Sequence, residues 1–484
     1  MLAKRIFEHA RASPDKLAVI YGESRLSYGD FARMIGAARD YLDALEPPTD
    51  AIAVLRTASL LDVWILGLAL RSLGVTTLSV RVFDDIAPLD LGAIGCIITS
   101  QAEAPARVHA MAQNAGWRLI AIPDGAFEGA AQRPIPPPPG AAAPAGGHIL
   151  LTSGTTGSYK KVLIDPVSEA MNIPRRSAIF GISAASVINL FDFAAWTSAG
   201  YNMAVCAWGV GGAVQIHQGA DKHRSLASGE ATHAELHPEL LKELLAAPAD
   251  ALRRNPQMML IVISGALPKA LWEETRERLT PRIHTCISST ETGPFTLTLI
   301  ETADDLRWHR VHPSRSVEIV DDAGAPVAQG QLGRMRVRLV DKVSGYLGDA
   351  ETTARFFADG CFYTGDLAAF RPDGRLSLQG RITEVINVDG NKVAAAPVEE
   401  ALQDALGAEG VCVFSMQGAD AAEEVHVAIE ARRPIDRAEL TAIVRHQLQG
   451  FDKAHVHFVK ALPRSPAGKI QRLALRAMVM GAKG

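Results

Sequence analysis

Short apolar runs alternate with amphipathic stretches along the first third of the chain. Residues 17–21 and 25–27, joined by Gly22-Glu23-Ser24, predict a strand pair, and Asp30 is expected to cap a helix running to about Leu45. Residues 51–55, 58–73 and 76–80 read as strand, helix and strand, a βαβ unit that continues through Cys96-Ile97-Ile98 and Leu119-Ile120-Ala121-Ile122. Such alternation predicts a mainly parallel sheet covered by helices. Residues 134–147 form a Pro/Ala/Gly connector without periodicity. Beyond it, 187–191, 213–216 and 258–263 read as buried strands, with helices such as 238–247 between them.

After about Arg307 the pattern changes. Alternation at 317–320, 333–339 and 375–379, with turns at Asp322-Ala323-Gly324 and Pro372-Asp373-Gly374, predicts antiparallel β structure. The α/β pattern then restarts with a helix at 396–405, strands at 410–414 and 424–430, and a helix at 437–448. No internal repeat is present. The expected fold class is α/β, with a boundary near residues 380–383. Residues 1–381 form a large multi-layer domain of parallel sheets and helices plus an antiparallel β subdomain, and residues 382–484 form a small α/β domain.

Composition narrows the function classes. The chain has 484 residues, 48% of them hydrophobic and 21% charged, as expected of a globular protein with full cores. A net charge of −4 leaves no electrostatic footprint for nucleic acid. The five cysteines are scattered without metal-like spacing, which fits reduced thiols. The N-terminus has no apolar signal core. The most apolar stretch, 51–80, carries Arg56, Asp62 and Arg71 and breaks at Gly74, so no membrane span is expected and the expected location is the cytoplasm.

The candidate chemistry centres on Leu151-Thr152-Ser153-Gly154-Thr155-Thr156-Gly157-Ser158-Tyr159-Lys160-Lys161-Val162, a tight loop between apolar runs. Its glycines let successive backbone N–H groups face one concavity, a nest for an anion, while hydroxyls and a lysine add donors and charge. A polyphosphate suits that arrangement, although the glycine spacing is not of the Walker type. A plain surface turn is the alternative from this stretch alone.

Four further stretches follow in order: Ser288-Ser289-Thr290-Glu291-Thr292-Gly293, Tyr363-Thr364-Gly365-Asp366-Leu367, Gly380-Arg381 through Gly390, and Leu462-Pro463-Arg464-Ser465-Pro466-Ala467-Gly468-Lys469. With Pro14-Asp15 and Leu26-Ser27-Tyr28 near the start, the series resembles the AMP-forming adenylating superfamily over essentially the whole chain. That superfamily includes acyl- and aryl-CoA synthetases, peptide-synthetase adenylation domains and luciferases.

The resemblance implies a reaction in two halves: a carboxylate joins the α-phosphate of MgATP with release of pyrophosphate, and a thiol then attacks the acyl-adenylate. It assigns ATP binding to Thr152, Ser153, Gly154, Thr155, Thr156, Gly157 and Lys160, and adenine packing to Ser264-Gly265-Ala266. It further implies α-phosphate contact by Thr290, Mg²⁺ binding by Glu291, ribose binding by Asp366, and a ribose or phosphate contact by Arg381. Lys469 would bridge the substrate carboxylate and the adenylate. Gly390 would line the approach of CoA, on a small domain that rotates about a hinge. Taken singly, Lys469 also reads as a solvated lysine, Glu291 as a helix cap, Asp366 as a turn residue and Arg381 as half of a surface ion pair.

The chain departs from the family pattern at Tyr159 (usually Pro), Lys161 (usually Gly), Ile287-Ser288 (usually Tyr-Gly) and Thr383 (commonly Asp or Lys at the hinge). Packing of Tyr159 is expected to order the loop, and Ile287 to replace the ring on which adenine stacks. Phe191-Asp192-Phe193-Ala194-Ala195-Trp196 matters most for the acid. Asp192 resembles the aspartate with which amino-acid-activating domains hold the α-ammonium group, and an acid at a strand end bonded to backbone N–H groups is the alternative. Trp196 and Phe193 are expected to wall the acid pocket, and Gly200, Ala195 and Ala199 to give it room.

The leading expectation is an AMP-forming carboxylic acid–CoA ligase using ATP, Mg²⁺ and CoA on a small-molecule acid. The alternative is a free-standing adenylation enzyme that loads an amino acid or other acid onto a carrier protein. Only fifteen residues follow Lys469 here, so that carrier protein is expected in trans. A third reading is a non-catalytic binder of ATP or acyl-AMP, disfavoured by retention of Lys469, Glu291, Asp366 and Arg381.

Overall fold

Eight strands form one sheet in the order Thr298–Leu299, Ile283–Thr285, Met259–Val262, His233–Leu236, Val187–Asn189, Ala213–Ile216, Leu17–Tyr21 and Ser24–Ser27. Its inner pairs are parallel and both edge strands antiparallel. A second sheet orders Arg118–Ile122, Ile94–Ser100, Ile52–Arg56, Thr76–Ser79, His148–Ser153 and Tyr159–Ile164, parallel except for the last pair, which is a hairpin. The computed structural model describes residues 2–123, 125–140, 145–153, 159–219, 222–340, 343, 345–388, 391–417, 423–431, 435–448, 454–464 and 470–481.

Helices Leu2–Ala12, Tyr28–Asp43, Leu60–Ser72, Pro166–Phe180 and Ser198–Val210 supply the layer that joins the sheets. One cluster of buried side chains takes Val19 and Val214 from the first sheet, Leu55 and Ile98 from the second, and Phe7, Phe31, Trp64, Ile173 and Trp208 from the helices. Covered on both faces, Ala213–Ile216 and Met259–Val262 are buried at every position; Met259–Val262 reads as a continuous apolar run, while Gln215 in the other donates to the carbonyl of Ser225. No helix among the described residues is long and apolar enough to cross a membrane.

The antiparallel part is a five-stranded sheet ordering Val317–Val320, Gly333–Arg338, Cys361–Phe370 and Phe357–Ala358, with Leu376–Arg381 paired to the long third strand. After Arg381 come a hairpin, Val385–Val388 with Asn391–Ala394, and a sheet of Gly410–Gln417, Glu423–Glu430 and Ala454–Val459. Helices Ala395–Leu406 and Arg437–Gln447 share one apolar cluster with that sheet, and Arg472–Gly481 shares another. Ion pairs Lys242–Glu409, Arg307–Glu400 and Arg464–Glu239 tie these residues to the rest of the chain.

Two local expectations need correction. Ser27, not Asp30, caps the first long helix: its hydroxyl accepts from Asp30 N at 3.1 Å while the Asp30 carboxylate accepts from Ser27 N, a capping box. The strand expected at 187–191 ends at Asn189, because Asn189 Oδ1 accepts Phe191 N and Phe191 turns to a φ of 51°.

A buried polar network lies within the helical layer. Arg71 donates to Glu169 Oε2 at 2.6 Å, to Tyr201 Oη at 2.8 Å and to the carbonyl of Gly146 at 3.2 Å. Tyr201 donates to the same Glu169 oxygen, and the backbone N–H of Leu2 to the other. His148 stacks on Tyr201 at 4.4 Å, and its ring nitrogens meet Thr77 Oγ1 and the carbonyl of Ala195. Burial alone would raise the Glu169 carboxyl, but the Arg71 guanidinium and the donated hydrogen bonds hold it below the usual carboxylate range. Removing either partner of such a pair typically costs about 3–5 kcal/mol, because the other charge stays buried.

Burial, reinforced by Arg71, pushes His148 down to about 3 from 6.5. The unfolded chain therefore takes up a proton below about pH 6.5 that the folded chain refuses, and stability falls with pH by about 1.4 kcal/mol per unit for each such histidine. Burial also lowers His284 and His309, each to about 4. Urea unfolding between about pH 6 and pH 4 should show a slope shallower by about one proton in His148→Gln than in the parent. An equal slope would mean that folded His148 takes up the proton.

Candidate active site

The hairpin of the second sheet pairs Thr152 with Lys160 and Ser153 with Tyr159. Its loop, with Gly154, Thr155, Thr156 and Gly157, lies outside the described residues, as do Gly390 and Lys469. Alternation along the strand turns the two lysines apart. Lys161 is buried and donates to the carbonyls of Leu89 and Asp90 at 2.7 and 2.8 Å, so it anchors the hairpin to the segment beneath. Lys160 faces a cavity of about 1230 Å³. Its ammonium stands 3.8 Å from the Phe356 ring centre and 4.9 Å from that of Tyr346. Burial lowers its pKa, with Glu291 pulling the other way.

The cavity brings together Thr152, Lys160, Asp192, Trp196, Ser264, Thr290, Glu291, Asp366 and Arg381. A tight hairpin pairing Ser288–Ser289 with Gly293–Pro294 puts Thr290 and Glu291 at its tip. Glu291 is buried, and Tyr346 donates to its Oε1 at 2.6 Å. No described protein group binds its other oxygen. One carboxylate with a free oxygen, in a cavity that also presents a lysine and hydroxyls, fits Mg²⁺, which keeps most of its ligands from phosphate and water. Asp366 and Arg381 face each other across neighbouring strands, 3.0 Å apart, and Arg381 also donates to the carbonyl of Thr364. Ser264 holds a φ of 65° just beyond a central strand. Ile287 and Thr383 line the cavity as well.

Several expected placements differ. Tyr159 is 45% exposed and does not pack into a core. Gly265 and Ala266 are exposed and off the cavity wall, leaving Ser264 alone of that stretch. Gly200 does not line the pocket. A Cβ there would lie 2.5 Å from the carbonyl oxygen of Ala194, so the glycine lets helix Ser198–Val210 rest on the 193–194 backbone. Ala195 is buried with its carbonyl held by His148, whereas Ala199, Phe193 and Trp196 do line the cavity. Asp192 is neither a lone buried carboxylate nor one satisfied by backbone N–H groups. Its side chain is 42% exposed and pairs with Lys222 at 3.4 Å.

Sequence reasoning missed four charged or polar residues here. Tyr346 and Lys222 appear as partners of Glu291 and Asp192, and no local pattern marks them. Arg176 and Glu235 line the cavity while almost fully buried. Their signal was available: charged residues inside a helix and a strand otherwise committed to the core.

The AMP-binding enzyme family model matches residues 86–347. The chain is 26% identical over 384 residues to the 2-succinylbenzoate–CoA ligase of Bacillus licheniformis, covering 73% of this chain and 74% of that protein. It is 36% identical over 161 residues to 4-coumarate–CoA ligase-like 5 of Oryza sativa subsp. japonica, covering 32% and 30% respectively. The chain thus spans about a third of the length of the first curated relatives it matches. The fold is shared with the amide bond synthetase McbA from Marinactinospora thermotolerans, at a TM-score of 0.83 and 20% identity over 99% of both chains.

The geometry makes Lys161 a structural lysine. Lys161→Met should lower unfolding free energy by about 1–3 kcal/mol, since two buried carbonyls lose their donor. A melting temperature equal to the parent's would contradict the anchoring role.

Proposed function

The chain belongs to the AMP-binding enzyme family, within the AMP-forming adenylating superfamily, and on that premise we propose that it is a carboxylic acid–CoA ligase that forms an acyl-adenylate from ATP and then an acyl thioester. One observation carries the reading: Lys160, Thr290, Glu291, Asp366 and Arg381, drawn from separate stretches of sequence, line a single cavity. A carboxylate and a polyphosphate repel each other, so their reaction needs fixed positive charge and preorganised donors at one place. In this reading the loop hydroxyls, backbone N–H groups and Lys160 hold the phosphates. Asp366 accepts the ribose hydroxyls, and Arg381, its ion-pair partner, reaches ribose or phosphate. Ser264 borders the adenine.

Glu291 would hold Mg²⁺, which when bound neutralises phosphate charge. Tyr346 keeps the Glu291 carboxylate oriented and Thr290 stands beside the α-phosphate. Lys469 would bridge the carboxylate and the adenylate oxygens as pyrophosphate leaves. In the second half, the CoA sulfur would enter past Gly390, bond to the acyl carbon and expel AMP. The same reading takes residues 1–381 and 382–484 as two domains, with the second rotating between half-reactions. It is supported by the separate sheet and apolar clusters after Arg381, joined to the rest at the surface by ion pairs.

A second reading, adenylation followed by transfer to another acceptor such as a carrier protein, is favoured by the fold shared with an amide bond synthetase. The Asp192–Lys222 pair weighs against an amino-acid substrate, because an incoming ammonium group must displace Lys222.

Pyrophosphate release with MgATP, measured across fatty, aryl, dicarboxylic and amino acids with and without CoA, tests both. The ligase predicts release that rises with CoA and an acyl-CoA found by mass, whereas release without a CoA product supports the second reading. Lys469→Ala should cut release about a hundredfold or more while ATP still binds by calorimetry; unchanged turnover would remove Lys469 from the reaction.

A further inference from the structure

The cavity contains two ionisable side chains that no described residue answers with a hydrogen bond or ion pair. Arg176, on helix Pro166–Phe180, is 5% exposed, and Glu235, on strand His233–Leu236, is 8% exposed. Both line the cavity, among Phe180, Met203, Ile263 and Phe295. Neither side chain makes a hydrogen bond or ion pair with a described residue, Arg176 Nε is buried without a partner, and no Arg176 nitrogen comes within 4.0 Å of a Glu235 oxygen. They share the cavity and act on each other electrostatically: burial pushes the Glu235 carboxyl up to about 7, and Arg176 pulls it the other way. Gly293 leaves the space in which the guanidinium lies, since a Cβ there would come within 2.9 Å of Arg176 Nη2.

Burying a charge without a partner is costly, and other charges near the cavity have partners: Asp366 has Arg381, Asp192 has Lys222, and Glu291 has Tyr346. The gap between Arg176 and Glu235 calls for a group that accepts from one and donates to the other. A hydroxyl does both through a single oxygen. A second carboxylate would accept from Arg176, but it could accept from Glu235 only while that carboxyl holds its proton, and would repel it once ionised. An ammonium group would satisfy Glu235 but face the guanidinium, and a hydrocarbon would answer neither. The apolar side chains that line the same cavity suit a hydrocarbon or aryl body between the reacting carboxylate and that hydroxyl. We propose that the acid activated by this chain carries a hydroxyl at its far end, held between Arg176 and Glu235. The inference rests on the adenylation reading above and narrows its substrate class.

Two matched sets of acids test it on the intact chain with MgATP, reading kcat/KM for pyrophosphate release. One set is hexanoate, 6-hydroxyhexanoate, adipate and 6-aminohexanoate; the other is cinnamate with its 4-hydroxy, 4-carboxy and 4-aminomethyl derivatives. In at least one set the hydroxy acid should exceed its unsubstituted partner by about a hundredfold or more, as sites built to bond a hydroxyl reject analogues lacking it. Glu235→Leu and Arg176→Met should each bring that ratio to within about threefold.

A carboxy or amino acid leading both sets, equal rates with and without the hydroxyl, or a ratio that survives both substitutions would overturn the inference. Should those variants fail to fold, calorimetric binding of acyl-sulfamoyl adenosines with and without the terminal hydroxyl to the parent chain reads the same preference. Equal affinities would overturn it there too. Release from no acid at all contradicts the adenylation reading, and this inference with it; release without preference contradicts this inference alone.

Discussion

The rest of the structure depends on one buried ion pair, Arg71 with Glu169. Arg71 ends the helix that follows the first strand of the second sheet, and Glu169 begins the helix that follows the hairpin. Their contact closes the layer between the two sheets. It also holds the last residues of the connector through Gly146 and the start of the chain through Leu2. Tyr201 joins the pair to helix Ser198–Val210, and His148, stacked on Tyr201, begins strand His148–Ser153 of the hairpin that carries Lys160. A charge pair in a dry core is poor value as a source of stability, but its directional bonds select one arrangement. Here that arrangement sets the position of strand His148–Ser153 relative to helices Pro166–Phe180 and Ser198–Val210.

From that fixed layer, the cavity follows from strand ends and tight turns. The hairpin brings Lys160, the 288–294 hairpin brings Glu291, and the antiparallel sheet brings Asp366 and Arg381. Each of these charges already has a partner in the chain: an aromatic ring for Lys160, a phenol for Glu291, and an ion pair for Asp366 and Arg381. Such partners hold the side chains in fixed positions, and in the proposed reaction that preorganisation keeps the reorganisation cost small. Arg176 and Glu235 differ in having no such partner among the described residues.

Much of the fold was legible because its periodicity is local. Strands Leu17–Tyr21 and Ser24–Ser27, the first βαβ unit, and the hairpin around the phosphate loop all follow from apolar runs and turn residues. Helix Ser198–Val210 was not legible, since every residue from Gly200 to Gly209 is buried and no polar stripe reveals the helical period. Helix Pro166–Phe180 carries Pro174 in its interior, a residue that argues against a helix in any local reading. Asp30 passed for a cap because it makes the reciprocal half of the capping box.

Site residues divide in the same way. Thr290, Glu291, Asp366 and Arg381 stand in short stretches whose order along the chain is itself informative. Partnerships are a tertiary property: Arg71 and Glu169 are 98 residues apart, Tyr346 and Glu291 are 55 apart, and nothing near Asp192 in sequence announces Lys222. The central claim is that this cavity joins a carboxylate to the α-phosphate of ATP. Exchange of labelled pyrophosphate into ATP measures that step directly, independent of the final acceptor. The account predicts label in ATP only when Mg²⁺ and a carboxylic acid are both present. Label entering ATP without an acid, or none entering with any acid that the chain binds, would contradict it.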